Sequence, residues 1–274
     1  MNSYEFIKYQ KKGHVATMTF NRPERLNAMD PDMEREMRAA FDDTQYDPRI
    51  RVLILTGEGE AFSTGEDVRV LDAWSHWKPE AGSSGQIVVP MPTASAPMPR
   101  YMVERVKKPV IAAVNGVAAG AGYGLAMASD IRIGTPAARF AHIYLRRALV
   151  PSAETWWLPR LIGLGPALYH ILMSDSMDAE EALRLGLLIK IVPPENLLSE
   201  ATAIANKIAE GPPMATMFAK MAAYNAMNMT FEDAMEYVGT IRQAIIPVGE
   251  FAEGTRSFLE KRKPVFDAGG TVEE

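Results

Sequence analysis

Cysteine is absent from the chain, which excludes disulfides, thiolate catalysis and cysteine-built metal sites. An excess of positive charge is missing too: 29 Lys and Arg stand against 34 Asp and Glu, giving a net charge of −5 and a pI near 5.6. Nucleic acid is therefore not an expected partner, since phosphate binding draws on a basic face. The N-terminal MNSYEFIKYQKKGHV carries no apolar core of signal-peptide length, and together with the missing cysteines this points to a cytoplasmic protein. Residues 110–129 are apolar enough to suggest a membrane span, with Gly116, Gly120 and Gly124 at four-residue spacing. Pro109, Asn115 and the glycine density read instead as a packed soluble segment, so no membrane partner is expected.

The 274 residues, 47% apolar and 23% charged, suit one large domain with an appendage. HVATMTF (14–20) alternates as a strand and ends at the turn NRPE. PDMEREMRAAFDDTQYD predicts an amphipathic helix with Asp30 as N-cap and Pro31 at its first position. RVLILTG, PVIAAVNG and DIRIGT read as buried strands, and YMVERVKK and GYGLAMASD as helices. From Pro79 to Pro99 the chain is rich in proline, serine and alanine and predicts a mobile excursion. Beyond about residue 152 nearly everything reads as helix. Continuous apolar strands alternating with helices predict an α/β core whose sheet is covered on both faces.

The stretch GVAAGAGYGLAMASD, beginning at Gly116, holds no carboxylate, histidine or nucleophile before Asp130. Three readings fit such a turn: a phosphate cradle at a helix N-terminus, close packing of strand and helix, or a backbone amide facing a carbonyl that gains negative charge. G-A-G-Y-G is not the dinucleotide spacing G-x-G-x-x-G. The third reading needs a second donor, and AFSTGEDV, with a strand before it and a glycine at its turn, can supply one.

Six segments, NRPERLNAM, LTGEGEAFSTGEDV, KKPVIAAVNGVAAGAGYGLAMASDIRIGTPAARF, LPRLIG, DAEEALRLGL and SFLEKRKPVF, together resemble the crotonase family, the enoyl-CoA hydratase/isomerase superfamily. The resemblance implies a spiral of ββα units over residues 1–200 and a C-terminal helical trimerisation region over 201–274, with trimers or dimers of trimers. It also implies an acyl-CoA thioester substrate, coenzyme A entering only as part of that substrate, with no other cofactor and no metal. By motif, the amides of Glu66 and Ala121 would polarise the thioester carbonyl. The Glu66 carboxylate would oppose an anion there, so it is expected to point away or to be paired. Arg25, Leu26 and Ala28 would line the CoA side, Ser63 and Asp67 would flank the oxyanion turn, and Phe258 and Lys261 would reach a neighbouring subunit's nucleotide. FLEKRK reads equally as a solvated helix end with a basic last turn.

Family members that hydrate enoyl-CoA use two glutamates around one water, because the addition needs both a base and an acid. This chain has Gly124 and Tyr144 at those positions, so two-glutamate hydration is disfavoured. A third acid position, used by isomerases and by ring-opening members, follows VP in LVPSAETWWLPRLIG; it usually falls near Ser152 or Ala153, whereas here the acid is Glu154. Glu154 reads either as the catalytic acid/base or as a first-turn acid behind an N-cap at Ser152. Tyr144 and His142 are candidates to donate to substrate or relay a proton. Trp156, Trp157, Trp74, His76 and Gly124 are candidates for the acyl pocket. One carboxylate suits proton shift or enoyl isomerisation; hydrolysis of a cyclic β-keto thioester, an atypical hydration and a non-catalytic CoA-ester binder stand as alternatives.

Overall fold

The computed structural model describes residues 4–76 and 97–266, with only the backbone for 73–75. β1 (Ile7–Lys12) and β2 (Val15–Phe20) form a hairpin that leads into α1 (Pro31–Tyr46). The order strand, strand, helix recurs in β3 (Val52–Gly57), β4 (Ala61–Ser63) and α2 (Val68–Ser75). After α3 (Met98–Arg105) it recurs in β5 (Val110–Val114), β6 (Val117–Ala119) and α4 (Gly120–Ala128). β7 (Ile131–Gly134) and β8 (Arg139–Ala141) precede α5 (Ala153–Ile162) and α6 (Leu164–Met173). β9 (Ser176–Asp178), α7 (Ala179–Arg184) and β10 (Lys190–Ile191) follow. The chain closes with α8 (Leu197–Ala209), α9 (Pro213–Ala226), α10 (Phe231–Ile245) and α11 (Glu250–Leu259).

From β3 onward the two strands of each unit part company. One sheet runs β1-β2-β3-β5-β7-β10 and the other β4-β6-β8-β9, so each ββ step carries the chain from one sheet to the next and the units wind as a spiral. The period of two explains why the first sheet is buried on both sides. Leu53 and Leu55 of β3 and Val110, Ala112 and Val114 of β5 enter the core that holds α1, α3 and α4. Their alternates Val52, Ile54, Ile111 and Ala113 meet Ala201, Ala205 and Ala209 of α8 on the opposite face. Burying each such large side chain contributes about 1.5–3 kcal/mol relative to exposure. The layer that covers the sheet thus runs on past residue 200.

Asp30 caps α1 as expected, accepting from the Met33 amide at 2.9 Å, with Pro31 in the first turn. One strand was not anticipated and two expectations are corrected. β1 is a strand with lysines and one buried residue, Ile7, because a hairpin edge needs little apolar alternation. β9 and β10 interrupt the region expected to be helical; two or three residues are too short to show a period. The excursion expected to end at Pro99 gives way to α3 at Met98, since proline is tolerated in a first helical turn; residues 77–96 lie outside the described set. Among the described residues no helix is long and apolar enough to cross a membrane.

Candidate active site

Two loops meet a helix start. In the β2–α1 loop, Asn27 is fully buried and its amide donates to Glu58 O (2.9 Å) and Ala61 O (2.7 Å), while its Oδ1 accepts from the Arg22 amide at 2.9 Å. These bonds hold Leu26 and Asn27 at φ of 52° and 55°, a left-handed turn that asparagine tolerates better than most residues. Arg25 and Leu26 are exposed, whereas Ala28 is buried. The turn after β4 runs alongside: Thr64 N donates to Leu26 O at 3.1 Å, and Ser63 Oγ donates to Asn27 O at 2.8 Å and accepts from Gly65 N at 3.2 Å. The expected CoA-side residues Arg25, Leu26 and Ala28, on the β2–α1 connection, therefore adjoin Ser63 at the end of β4.

The Glu66 amide is presented by its neighbours. Met29 N donates to Gly65 O at 2.7 Å and Asp67 N to Met29 O at 2.8 Å, and in this parallel bridge the N–H of the intervening Glu66 faces the other way. On that other side α4 begins. Gly65, at φ +86°, lies so close that a Cβ there would be 2.8 Å from both Ala119 O and Ala121 N. Ala121 sits in the first turn of α4, where an amide has no intrahelical acceptor, and its methyl fits because the residue is helical. Asp67 is buried, accepts from the Arg69 amide at 3.0 Å and lies 3.5 Å from Arg22. The Arg69 amide and then the neighbouring guanidinium groups hold its carboxyl below the usual range. The Glu66 carboxylate was expected to point away from the amides or to be paired. Its Oε2 lies 3.5 Å from where a Cβ on Gly120 would stand, at the start of α4, where the helix dipole favours an acid.

Beside this corner His142 and Glu154 form a buried pair, Nδ1 to Oε2 at 3.1 Å, with side chains 2% and 1% exposed. The Ser152 side chain makes no capping bond to α5, so the geometry places Glu154 with the imidazole and not at a solvated helix start. Among the described residues, Glu154 Oε1 and His142 Nε2 have no hydrogen-bond partner. Both acids bear on Tyr144: burial, then the charges of Glu66 and Glu154, push its phenol well above the usual tyrosine value, so it stays a neutral donor. Gly124 is filled from outside, since a Cβ there would meet Pro99 Cγ at 2.7 Å and Ala153 Cβ at 3.2 Å. Reinstating the acid as Gly124→Glu is expected to destabilise the fold by about 1–3 kcal/mol through overpacking, read as a lowered thermal midpoint; a neutral substitution would show that α3 and α5 yield there.

Other expected pocket residues stand apart. Trp157 is a core residue edge-on to Tyr224 of α9 at 5.4 Å, and Trp156 is 37% exposed beneath Arg160. The expected acyl-pocket indoles Trp156 and Trp157 thus make packing contacts on α5, edge-on to one another at 4.4 Å. His76 is exposed, 3.7 Å from Asp72, and the Trp74 side chain lies outside the described residues. Phe258 is 83% exposed near the end of α11, with Lys261 just beyond it. Two residues were missed: Tyr123, fully buried with its ring 5.1 Å from that of His142, and His170, stacked on His142 at 5.9 Å. A histidine in the apolar run LYHILM was the only signal for His170. Among the described residues no group of three or more His, Asp and Glu is placed to hold a metal ion.

The Enoyl-CoA hydratase/isomerase family model matches residues 10–269. A crotonyl-CoA hydratase of Syntrophomonas wolfei is 34% identical, covering 96% of this chain and 98% of the relative. A 1,2-epoxyphenylacetyl-CoA isomerase of Escherichia coli is 32% identical, over 96% and 98% of the two chains. The crystal structure of an enoyl-CoA hydratase from Geobacillus kaustophilus superposes with a TM-score of 0.85 at 30% identity, covering 97% of this chain and 99% of that one. The chain belongs to the enoyl-CoA hydratase/isomerase family and has its crotonase fold.

Proposed function

We propose that the protein shifts a proton within an acyl-CoA thioester. Glu154 takes a proton from the carbon next to the thioester, the C–H electron pair moves onto the carbonyl oxygen, and the amides of Glu66 and Ala121 stabilise the resulting enolate. The same carboxyl then returns the proton to a different carbon, which moves the double bond and leaves atoms and charge balanced. The observation that carries this reading is the buried His142–Glu154 contact, one oriented carboxylate beside two presented amides, with Gly124 and Tyr144 in place of the hydratase pair. Tyr144 donates to the substrate. Arg25, Leu26, Ala28, Ser63 and Asp67 form the CoA side, and Phe258 and Lys261 serve the nucleotide of a neighbouring subunit in a trimer or dimer of trimers. Exposed Phe231, Met235, Phe251 and Leu259 on the C-terminal helices support that assembly, which native mass spectrometry tests.

One observation favours a second reading. An imidazole oriented by a carboxylate through Nδ1, with Nε2 left over, suits activation of water for carbon–carbon hydrolysis of a β-keto acyl-CoA. Mass spectrometry on a panel of thioesters separates the two. Conversion of 3-butenoyl-CoA to crotonyl-CoA, with slow hydration of crotonyl-CoA, is expected; faster cleavage of a β-keto thioester puts hydrolysis first. Acyl-CoA is expected to stabilise the protein by about 2.7 kcal/mol at a hundredfold excess over Kd. A thermal shift with NAD and none with any acyl-CoA overturns both readings and leaves neither catalysis nor CoA-ester binding.

A further inference from the structure

We infer that His170 and Glu181 are the outward half of a proton path whose inward half is His142 and Glu154. The inference rests on the proposal that Glu154 accepts the substrate proton. His142 and His170 stack at 5.9 Å between ring centroids, 18° from parallel, and their side chains are 2% and 7% exposed. Each imidazole turns one nitrogen to a charged partner: His142 Nδ1 is 3.1 Å from Glu154 Oε2, and His170 Nε2 is 3.7 Å from Glu181 Oε1. The remaining nitrogens, His142 Nε2 and His170 Nδ1, are buried without a hydrogen-bond partner among the described residues, as is the Tyr123 hydroxyl. Leaving such atoms unpaired costs about 1–3 kcal/mol each, a penalty that phenylalanine or leucine filling the same volume avoids. Packing alone therefore does not account for two histidines here.

The far end reaches solvent. Glu181, in the first turn of α7, is 39% exposed and also takes Arg184 at 2.7 Å. Burial, and then the proximity of His142, hold His170 below the usual histidine range, so at neutral pH it is the uncharged acceptor that a path requires. The other groups bearing on the cluster are Tyr123, Tyr169, Asp175 and Glu181. Protonated Glu154 gives its proton to His142 Nδ1, and His142 Nε2–H passes its own to His170 Nδ1 by way of the Tyr123 hydroxyl, once a turn of the side chains brings these three unpartnered groups into hydrogen-bond contact; the near-parallel rings do not bond to one another directly. His170 Nε2–H then gives a proton to Glu181 once that carboxylate closes from ion-pair distance. One proton leaves Glu154 and one arrives at Glu181. A return passage, after either ring has turned over, brings a solvent hydron to Glu154. His170 acts through His142 and is a positioning residue, not a catalytic one.

Two measurements test the path. The first needs no substrate: imidazole 15N shifts of the four histidines are assigned by substitution and compared between the parent and Glu154→Gln. His170, which does not touch Glu154, is expected to change its Nδ1/Nε2 proton distribution, and His142→Phe is expected to abolish that response. Unchanged His170 shifts in Glu154→Gln overturn the path. The second follows 3-butenoyl-CoA in D2O by mass spectrometry. Parent product carries solvent deuterium, whereas in His170→Phe and the surface variant Glu181→Gln the deuterium content is expected to fall by about half or more at nearly parental turnover. Equal deuterium in both variants overturns the path. A parent enzyme inert toward this thioester counts against the isomerase reading alone, and the nitrogen shifts still decide the path.

Discussion

Glu154→Gln is expected to leave acyl-CoA binding in place while turnover falls by roughly two to four orders of magnitude. The amide keeps the carboxylate's volume and still meets His142 Nδ1, so the corner formed by β4, α4 and α5 has no reason to collapse. What disappears is the basic oxygen. A first-turn acid that served only the helix dipole would contribute about 0.3–1 kcal/mol from an exposed position, but Glu154 is 1% exposed and Ser152 makes no capping bond. Thermal stability and single-turnover rate measured on the same variant separate the roles. Parental turnover in a stable Gln variant moves the base to His142 or Tyr144, and with it the hydrolytic reading moves ahead of the isomerase one.

The parts of the fold that were legible are those where one physical rule acts alone. RVLILTG and PVIAAVNG are buried on both faces, so an unbroken apolar run suffices to identify each strand. Asp30-Pro31 marks a helix start because capping and proline's fixed φ agree. The meeting of the β4 turn with α4 was legible only through motifs, since the close approach of Gly65 to Ala121 is a tertiary contact that no period encodes. The side-chain chemistry was legible in part. His142 and Glu154 stood out as titratable residues among apolar neighbours, but their contact spans β8, a short 3-10 turn at Leu145–Arg147 and the start of α5. The packing partner of Trp157 was equally hidden: an indole beside an acid in sequence reads as pocket lining, and its contact with Tyr224 of α9 spans a length of chain that no period connects. His170 sits on α6 in an apolar run, and only the stacking on His142 gives it a meaning.

Gly65→Ala carries the other large effect, on the amides and not on the base. The residue is at φ +86°, where a side chain is strained whatever the space, and there is no space: the new methyl would lie 2.8 Å from Ala119 O and from Ala121 N, both backbone atoms. Neither atom can rotate aside as a side chain would, so the β4 turn and the start of α4 must separate. The left-handed strain alone costs of order 1–3 kcal/mol, and thermal unfolding is expected to show at least that loss. Separation would also spoil the proposed convergence of the Glu66 and Ala121 amides on one oxygen. Losing one donor of such a pair costs about 10²–10³ in turnover, so the variant is expected to lose rate even below its lowered melting temperature, with His142 and Glu154 untouched. The control is Gly13→Ala in the β1–β2 turn, where φ is +57° but nothing lies within 4 Å, so backbone strain appears without the clash. If Gly65→Ala loses stability while its turnover, measured well below melting, matches that of Gly13→Ala, then the two amides do not hold the reacting oxygen and the stabilising donors lie elsewhere in the corner.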